Sequence, residues 1–329
     1  MPTMAADAML ALGRRFLDSR IFLSAAELDI FSLLAKETMS AKEVSDKLSS
    51  TLRGTTILLD ALVAMELIEK PAGKYRCRPE VAALLASDSP TTLLPMLMHS
   101  AGMWQRWSSL TDIVRRGTNY QGLSSSDNPQ AQEAFIGAMH VVGSRMAAGV
   151  VAAIQPAKAQ RLLDIGGASG TYTQAFLEAS SSLQATIFDL PPVVQIAKRR
   201  LEKTGLLPRI QFVSGDFYRD ELPGGHDLAL LSAIIHQNSP EQNLELYRKI
   251  HRALVSGGRL VIRDHIMNPE HTQPASGALF AVNMLVSTPG GGTYSFEEIR
   301  DSLLTAGFKK IGLIQSGDRM NGLVEAISQ

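Results

Sequence analysis

From Gln160 onward the chain alternates short apolar runs with amphipathic segments, and this alternation constrains the fold more than any other feature. RLLDIG, QATIFDL, IQFVSGDF, HDLALLSAII and RLVIRDHI have the length and apolar content of strands. TYTQAFLEAS, PVVQIAKRRLEKTG, EQNLELYRKIHRAL and SFEEIRDSLLTAGF have helical spacing, the third running to a stop near Gly257-Gly258, and two short strands close the chain. Strands alternating with helices imply an α/β fold with a doubly wound, mostly parallel sheet. Ligands of such sheets sit beyond the carboxyl ends of the strands, at the switch point.

The first hundred residues carry a different pattern. SAAELDIFSLLA spaces its apolar residues at three and four, as one amphipathic helix should. SAKEVSDKL is a short helix with Ser40 as N-cap and Glu43 three residues on. TLRGTTILLDALVAMELI is a longer helix. EKPAGKYRCRPEVAALL turns at Pro71-Ala72-Gly73 between two short strands and starts another helix after Pro79. Helices followed by a two-strand wing give a winged-helix order. We therefore expect a mainly helical, winged-helix-like domain over residues 1–100. A second domain covers 101–329, with its sheet core from about 160 and a helical lid over 101–158. A helical run from Asp88 to Met98 continues through WQRWSSLTDIVRRG, TNYQGLSSSDNPQ is a polar linker or lid, and AQEAFIGAMHVVGSRMAAGVVAAI is one long helix.

Length and charge narrow the function. A chain of 329 residues suits two units. Lys+Arg and Asp+Glu are equal at 32 each, so no net field favours nucleic acid or an anionic membrane. Within 41–80, Lys42, Lys47, Arg53, Lys70, Lys74, Arg76 and Arg78 are opposed by Glu43, Asp46, Asp60, Glu66, Glu69 and Glu80, whereas a DNA reader needs a one-sided excess. No apolar run reaches membrane-spanning length, and the amphipathic N-terminus lacks the order of a secretory signal. Cys77 is the only cysteine, which rules out a disulfide within the chain and fits a reducing cytoplasm.

The densest motif is Leu162-Leu163-Asp164-Ile165-Gly166-Gly167-Ala168-Ser169-Gly170, between a strand and a helix. Glycines there let the backbone turn tightly against a ligand. The spacing is not that of the dinucleotide fingerprint, and the acid Asp164 at the strand end would repel a pyrophosphate. It suits a ligand with an amino group, such as S-adenosylmethionine, which also carries a cationic sulfonium. The next strand ends Phe188-Asp189-Leu190, with Asp189 placed to accept ribose hydroxyls. The third ends Gly215-Asp216-Phe217, an acid for an adenine amine beside a ring that can stack on the base. One such feature per successive strand end makes a cofactor site.

With these residues in view, the chain resembles the small-molecule O-methyltransferases of the plant caffeate and isoflavone type and their bacterial relatives acting on polyketides, phenazines and carotenoids. The likeness spans nearly the whole length, from the winged-helix opening through LDIGGASG, FDLPPV, SGDF, AIIH and GGRLVIRDHIM to NMLVSTPGGGTYSFEEI. It implies a class I methyltransferase sheet of Rossmann-like type, S-adenosylmethionine as cofactor, and a small-molecule acceptor. It also implies a homodimer formed through the N-terminal domain. By the same resemblance His236 removes the hydroxyl proton and Asp264 holds and polarises it. Such a base is useful because a phenol titrates near ~10 and an imidazole near ~6.5. Met139, His140, Asn283 and Met284 fall where the family clamps its acceptor, and Ser232 replaces a lysine that often lines the cofactor site. Gln237-Asn238 replaces Asp-Trp after the histidine, Asp264 replaces Glu, and Thr293 stands where a second supporting Glu belongs.

Other residues are expected to be structural. His99, His226, His251 and His271 read as surface residues, and His265 as pointing to the opposite face from Asp264. Trp104 and Trp107 read as packing residues, and Arg263 offers Asp264 a plain salt bridge as the alternative to catalysis. No HxxxH or HExxH occurs, so no catalytic metal is expected. Competing readings are a C- or N-methyltransferase on a similar ring, a ligand-sensing winged-helix regulator, and a non-catalytic cofactor binder.

Overall fold

The computed structural model describes residues 5–117, 129–156 and 158–329, so most of the expected linker TNYQGLSSSDNPQ lies outside the described residues. The chain divides into two compact units, Met1–Trp104 and Gln105–Gln329.

The first unit contains α1 (Ala6–Glu27), α2 (Ile30–Lys36), α3 (Ala41–Lys47), α4 (Leu52–Ala64), the hairpin β1 (Ile68–Glu69) and β2 (Arg76–Cys77), α5 (Pro79–Leu85) and most of α6 (Leu94–Trp107). Phe31, Leu34, Leu59, Leu62, Ile68 and Tyr75 fill its core. The α3 start is the capping box expected at Ser40 and Glu43. Two expected helices are shorter than their periodicity. Residues 24–35 are divided because α1 ends at Glu27 with Leu28 as its C-cap, and Asp29 takes a left-handed conformation, φ 51°. The helix expected to reach Ile68 stops at Ala64, where Glu66 at φ 59° turns the chain into the wing.

The second unit continues with α7 (Leu110–Arg116), α8 (Pro129–Ser144) and α9 (Ala147–Ile154). The helical run expected from Asp88 starts only at Leu94 and breaks at Ser108-Ser109. The single long helix expected over 131–154 is α8 and α9, bent by 60° just after Gly143-Ser144, a pair that weakens the helical ladder. There follow β3 (Arg161–Ile165), α10 (Thr171–Ala179), β4 (Gln184–Asp189), α11 (Pro191–Leu201), β5 (Ile210–Ser214), β6 (His226–Ser232), α12 (Pro240–Ala253), β7 (Leu254–Asp264), β8 (Ile266–Met267), α13 (Ala275–Ser287), β9 (Tyr294–Ser295), α14 (Phe296–Thr305), β10 (Lys309–Gln315) and β11 (Gly322–Ile327).

The main sheet has the order β10-β11-β7-β6-β3-β4-β5. The strands from β7 to β5 are parallel, and β11 runs antiparallel to both its neighbours. The chain moves outward from β3 to β5 and then returns to place β6 on the other side of β3, which makes a switch point at the β3 tip. Helix α12 ends four residues before the glycines expected to stop it: Leu254 already pairs with His226, and Gly257-Gly258 sit in the irregularity between that pair and Leu228–Arg259. One face of the sheet buries Leu163, Leu231, Ile262 and Val324, and the other Leu162, Leu230, Val261 and Leu323. His226 is in this interior, not on the surface, with Nε2 2.9 Å from Thr186 Oγ1. His251 is half-buried with its ring edge-on to Phe308. Among the described residues no single helix is long and apolar enough to cross a membrane.

Candidate functional site

Beyond β3 the chain turns through backbone conformations that side chains resist. Gly166 has φ 65°, and a Cβ there would lie 2.7 Å from Ile234 Cδ1, so the position accepts only glycine. Its N–H donates to Phe188 O of β4 at 2.8 Å. Ala168 is left-handed too, at φ 48°, and its N–H donates to Asp189 Oδ2 at 2.8 Å. Gly170, at φ 69°, is the N-cap of α10. Packed behind Gly167, the Asp164 Cγ lies 3.0 Å from where a Cβ would sit. Side chains hold the turn from outside. Arg200 Nε donates to Ser169 O at 2.6 Å. His140 Nδ1 lies 2.7 Å from Thr171 Oγ1, which in turn lies 2.7 Å from Ser169 Oγ. His140, expected to reach an acceptor, is thus tied to the first turn of α10, and burial followed by the charge of Arg200 pushes its pKa down.

The expected acids stand at the tips of three adjacent strands. Asp164 is 2% exposed, and its Oδ2 accepts from Thr173 Oγ1 at 2.6 Å. Burial, with a smaller contribution from Asp189, pushes its carboxyl up to about 6. Asp189 accepts from Ala168 N–H through Oδ2 and from Leu190 N–H through Oδ1 at 2.7 Å, yet burial also pushes it up to about 6. Among the described residues no cationic side chain stabilises either carboxylate. Leu190 caps α11 just before Pro191, which has no N–H to leave unsatisfied. Asp216 Oδ1 accepts from Tyr218 N–H at 2.9 Å, and Phe217 lies against Gly166 with Cε1 3.7 Å from the position of a Cβ.

The tips of β6 and β7 carry the second group. Ser232 pairs with Arg263 in register, Ala233 turns the chain at φ 58°, and a single helical turn, Ile235–Gln237, follows. This places His236 against Asp264: Nδ1 is 3.0 Å from Oδ1 and 2.9 Å from Oδ2. Asp264 Oδ1 also accepts from His265 N–H at 2.8 Å. The carboxylate is buried, whereas the His236 side chain keeps 11% of its surface exposed. A carboxylate at Nδ1 selects the tautomer with the proton there, leaving the Nε2 lone pair available. Phe280 meets His236 edge-on, with ring centroids 4.9 Å apart, and its ring also lies 5.1 Å from that of His265. His265 therefore belongs to the surroundings of His236, contrary to the opposite-face expectation: β7 ends at Asp264, so the alternation of faces does not carry on to the next residue. Phe280 was missed in the sequence. Its one signal is its place one helical turn before Met284 on α13.

Arg263 forms no ion pair with Asp264; its Nη1 donates to Ser232 Oγ at 2.9 Å and its guanidinium lies over the Tyr172 ring at 5.0 Å. The Arg263 Nε is buried without a hydrogen-bond partner among the described residues. Asn283 Oδ1 accepts from Trp107 Nε1 at 3.1 Å, so Trp107, 37% exposed, does more than pack. Met284 is buried on α13 and Met139 half-buried on α8, and no hydrogen bond links either to His236. Thr293 is buried beside Gly292, whose N–H donates to His236 O at 2.9 Å. Among the described residues no three His, Cys, Asp or Glu side chains cluster as a metal site would.

Comparison with known proteins adds to this geometry. The O-methyltransferase domain model matches residues 107–309, and the O-methyltransferase dimerisation domain model matches residues 10–88. The chain is 29% identical to a tetracenomycin polyketide synthesis 8-O-methyl transferase of Streptomyces glaucescens, over 92% of this chain and 91% of that protein. It is 28% identical to an N,N-dimethyltransferase of Streptomyces rimosus, over 98% of this chain and 95% of that protein. Human N-acetylserotonin methyltransferase, solved in complex with SAM, superposes with a TM-score of 0.86 at 25% identity, covering 100% of this chain and 99% of that one.

Proposed function

Because the chain belongs to the O-methyltransferase family, we propose that it transfers a methyl group from S-adenosylmethionine to a hydroxyl oxygen of a small aromatic or polyketide-like molecule, with His236 as the base. The observation that carries this reading is the His236–Asp264 pair, bonded through Nδ1 with Nε2 left free for a substrate. The donor supplies, when bound, a methyl group on a sulfonium. The residues present suit it. Asp164 is buried and Asp189 half-buried, and among the described residues neither has a cation to stabilise it, so an ammonium and a pair of ribose hydroxyls are the partners they lack. Asp216 and Phe217 suit an adenine. The unpartnered Arg263 Nε suits a carboxylate.

His236 Nε2 takes the acceptor's hydroxyl proton as the oxygen attacks, and the buried Asp264 carboxylate stabilises the imidazolium formed. Alignment of the two bound molecules supplies much of the remaining acceleration. Asn283, held by Trp107, and Met284 and Met139 are the proposed acceptor walls, methionine being adaptable to flat rings. The likeness to an N,N-dimethyltransferase favours one second reading, an amine acceptor. A neutral amine needs no base, so that reading makes His236 dispensable.

The test is calorimetry with S-adenosylhomocysteine, then a mass-shift screen with labelled donor against phenols, quinones, hydroxylated polyketides and amines. Binding plus methylation of a hydroxyl is expected. No heat signal at any concentration refutes the donor, and methylation of amines alone refutes the oxygen acceptor. The dimerisation-domain match and the exposed Met9, Leu10, Leu12, Phe16 and Leu17 of α1 support a homodimer. A monomer mass by light scattering at micromolar concentration would refute that part.

A further inference from the structure

The single turn that carries His236 is clamped by an unusually complete polar network, and its hub is Asn238. That residue is fully buried. Its Nδ2 donates to Asn243 Oδ1 at 3.0 Å, and its Oδ1 accepts from the Tyr218 hydroxyl at 2.5 Å. Its carbonyl accepts from the Tyr294 hydroxyl. Asn243, also buried, returns a bond from Nδ2 to Ile235 O at 2.9 Å. His236 O accepts from Gly292 N–H, and a Cβ at Gly291 would lie 2.4 Å from that same carbonyl. The turn is thus fixed by α12, by the glycine segment, by β9, and by one further side chain, Tyr218.

Tyr218 differs in kind from the other three attachments. It follows Asp216 and Phe217 directly, its N–H is held by Asp216 Oδ1 at 2.9 Å, and its ring lies 4.6 Å from that of Phe217. The remaining attachments belong to packed elements; this one belongs to the strand-tip loop proposed to receive the adenine. We propose that Asn238 and Tyr218 are positioning residues that couple the adenine end of the donor site to the orientation of His236. A shift of Asp216 or Phe217 when a nucleoside seats against them moves Tyr218, and the buried Asn238 amide carries the movement to the backbone on either side of the imidazole. Buried, fully satisfied networks transmit such shifts because any member left unpaired in a low-dielectric interior is costly. The coupling rests on the donor and base assignments above.

The experiment follows the His236 ring by NMR while the unaltered chain and the Tyr218→Phe variant are titrated with S-adenosylhomocysteine. Tyr218→Phe removes one oxygen from a residue that is 47% exposed, and an unchanged far-UV circular dichroism spectrum checks that the fold is retained. The unaltered chain should show a change in the His236 ring signals on saturation. In Tyr218→Phe the product should still bind, with an affinity within ~3-fold, while the His236 response is lost and kcat falls ~10-fold at unchanged acceptor KM. Asn238→Ala should lose the response and more of kcat. The proposal is overturned if Tyr218→Phe keeps both the response and the turnover, or if His236 in the unaltered chain is indifferent to saturating ligand. An unaltered chain that binds no S-adenosylhomocysteine at all sinks the donor assignment and this coupling together; binding without a His236 response sinks the coupling alone.

Discussion

At the tips of β3 and β4 the site is made by backbone: three left-handed residues within five positions, and N–H groups of Ala168 and Leu190 aimed at Asp189. At the tips of β6 and β7 it is made by side chains that come from distant parts of the chain, with Asp264 28 residues from His236 in sequence and Phe280 beyond both. The first region holds acids that burial leaves short of a counter-charge. The second holds an acid whose partner is already in place. An incomplete electrostatic environment marks where a cationic ligand gains most, and a complete one marks where geometry has to be ready before the reaction.

Two measurements would break or sharpen this contrast. The larger effect is expected at the second region. His236→Ala should lower turnover by ~10²–10⁴ while S-adenosylhomocysteine affinity, measured by calorimetry, stays nearly the same. A matching loss of affinity would mean that the two regions are not separable, and unchanged turnover would remove His236 from the chemistry. The smaller effect belongs to the first region and to pH. Asp164 and Asp189 are both raised to about 6 by burial, from an ordinary value of 3.8. The folded chain therefore holds these protons more tightly than the unfolded chain, and their contribution to stability, greatest below 3.8, declines as pH rises to about 6. An ammonium beside Asp164 and hydroxyls donating to Asp189 both favour the ionised carboxylates, so binding releases protons. Affinity for S-adenosylhomocysteine should rise ~10-fold for each carboxyl it must ionise between about pH 5 and 7, then level off. A flat profile would mean that the ligand ionises neither acid.

The same contrast governs what could be read in advance. The glycine turn and the three strand-end acids were legible because each is a local event: a strand, a bend that tolerates positive φ, a helix start. His236 and Asp264 were legible only through resemblance, since nothing in LLSAIIHQN or VIRDHIM says that the two meet. Phe280, the His140–Thr171 contact and the Tyr218–Asn238 bond had no local signature. Helix lengths failed for a related reason: apolar periodicity continues through Leu28, Met65 and Gly143, and only left-handed residues or weak helical pairs decide where the ladder stops.

The amino-acid order settled the alternation of strands and helices, the capping box at Ser40, and the acids at the tips of β3, β4 and β5, because these depend on neighbours within a few positions. Tertiary structure decided which strand lies beside which, and through the β6–β7 register it brought an imidazole to a carboxylate. Side chains that interact across tens of residues are placed by the packing of whole elements, and that placement is a property of the folded sheet, absent from any one segment.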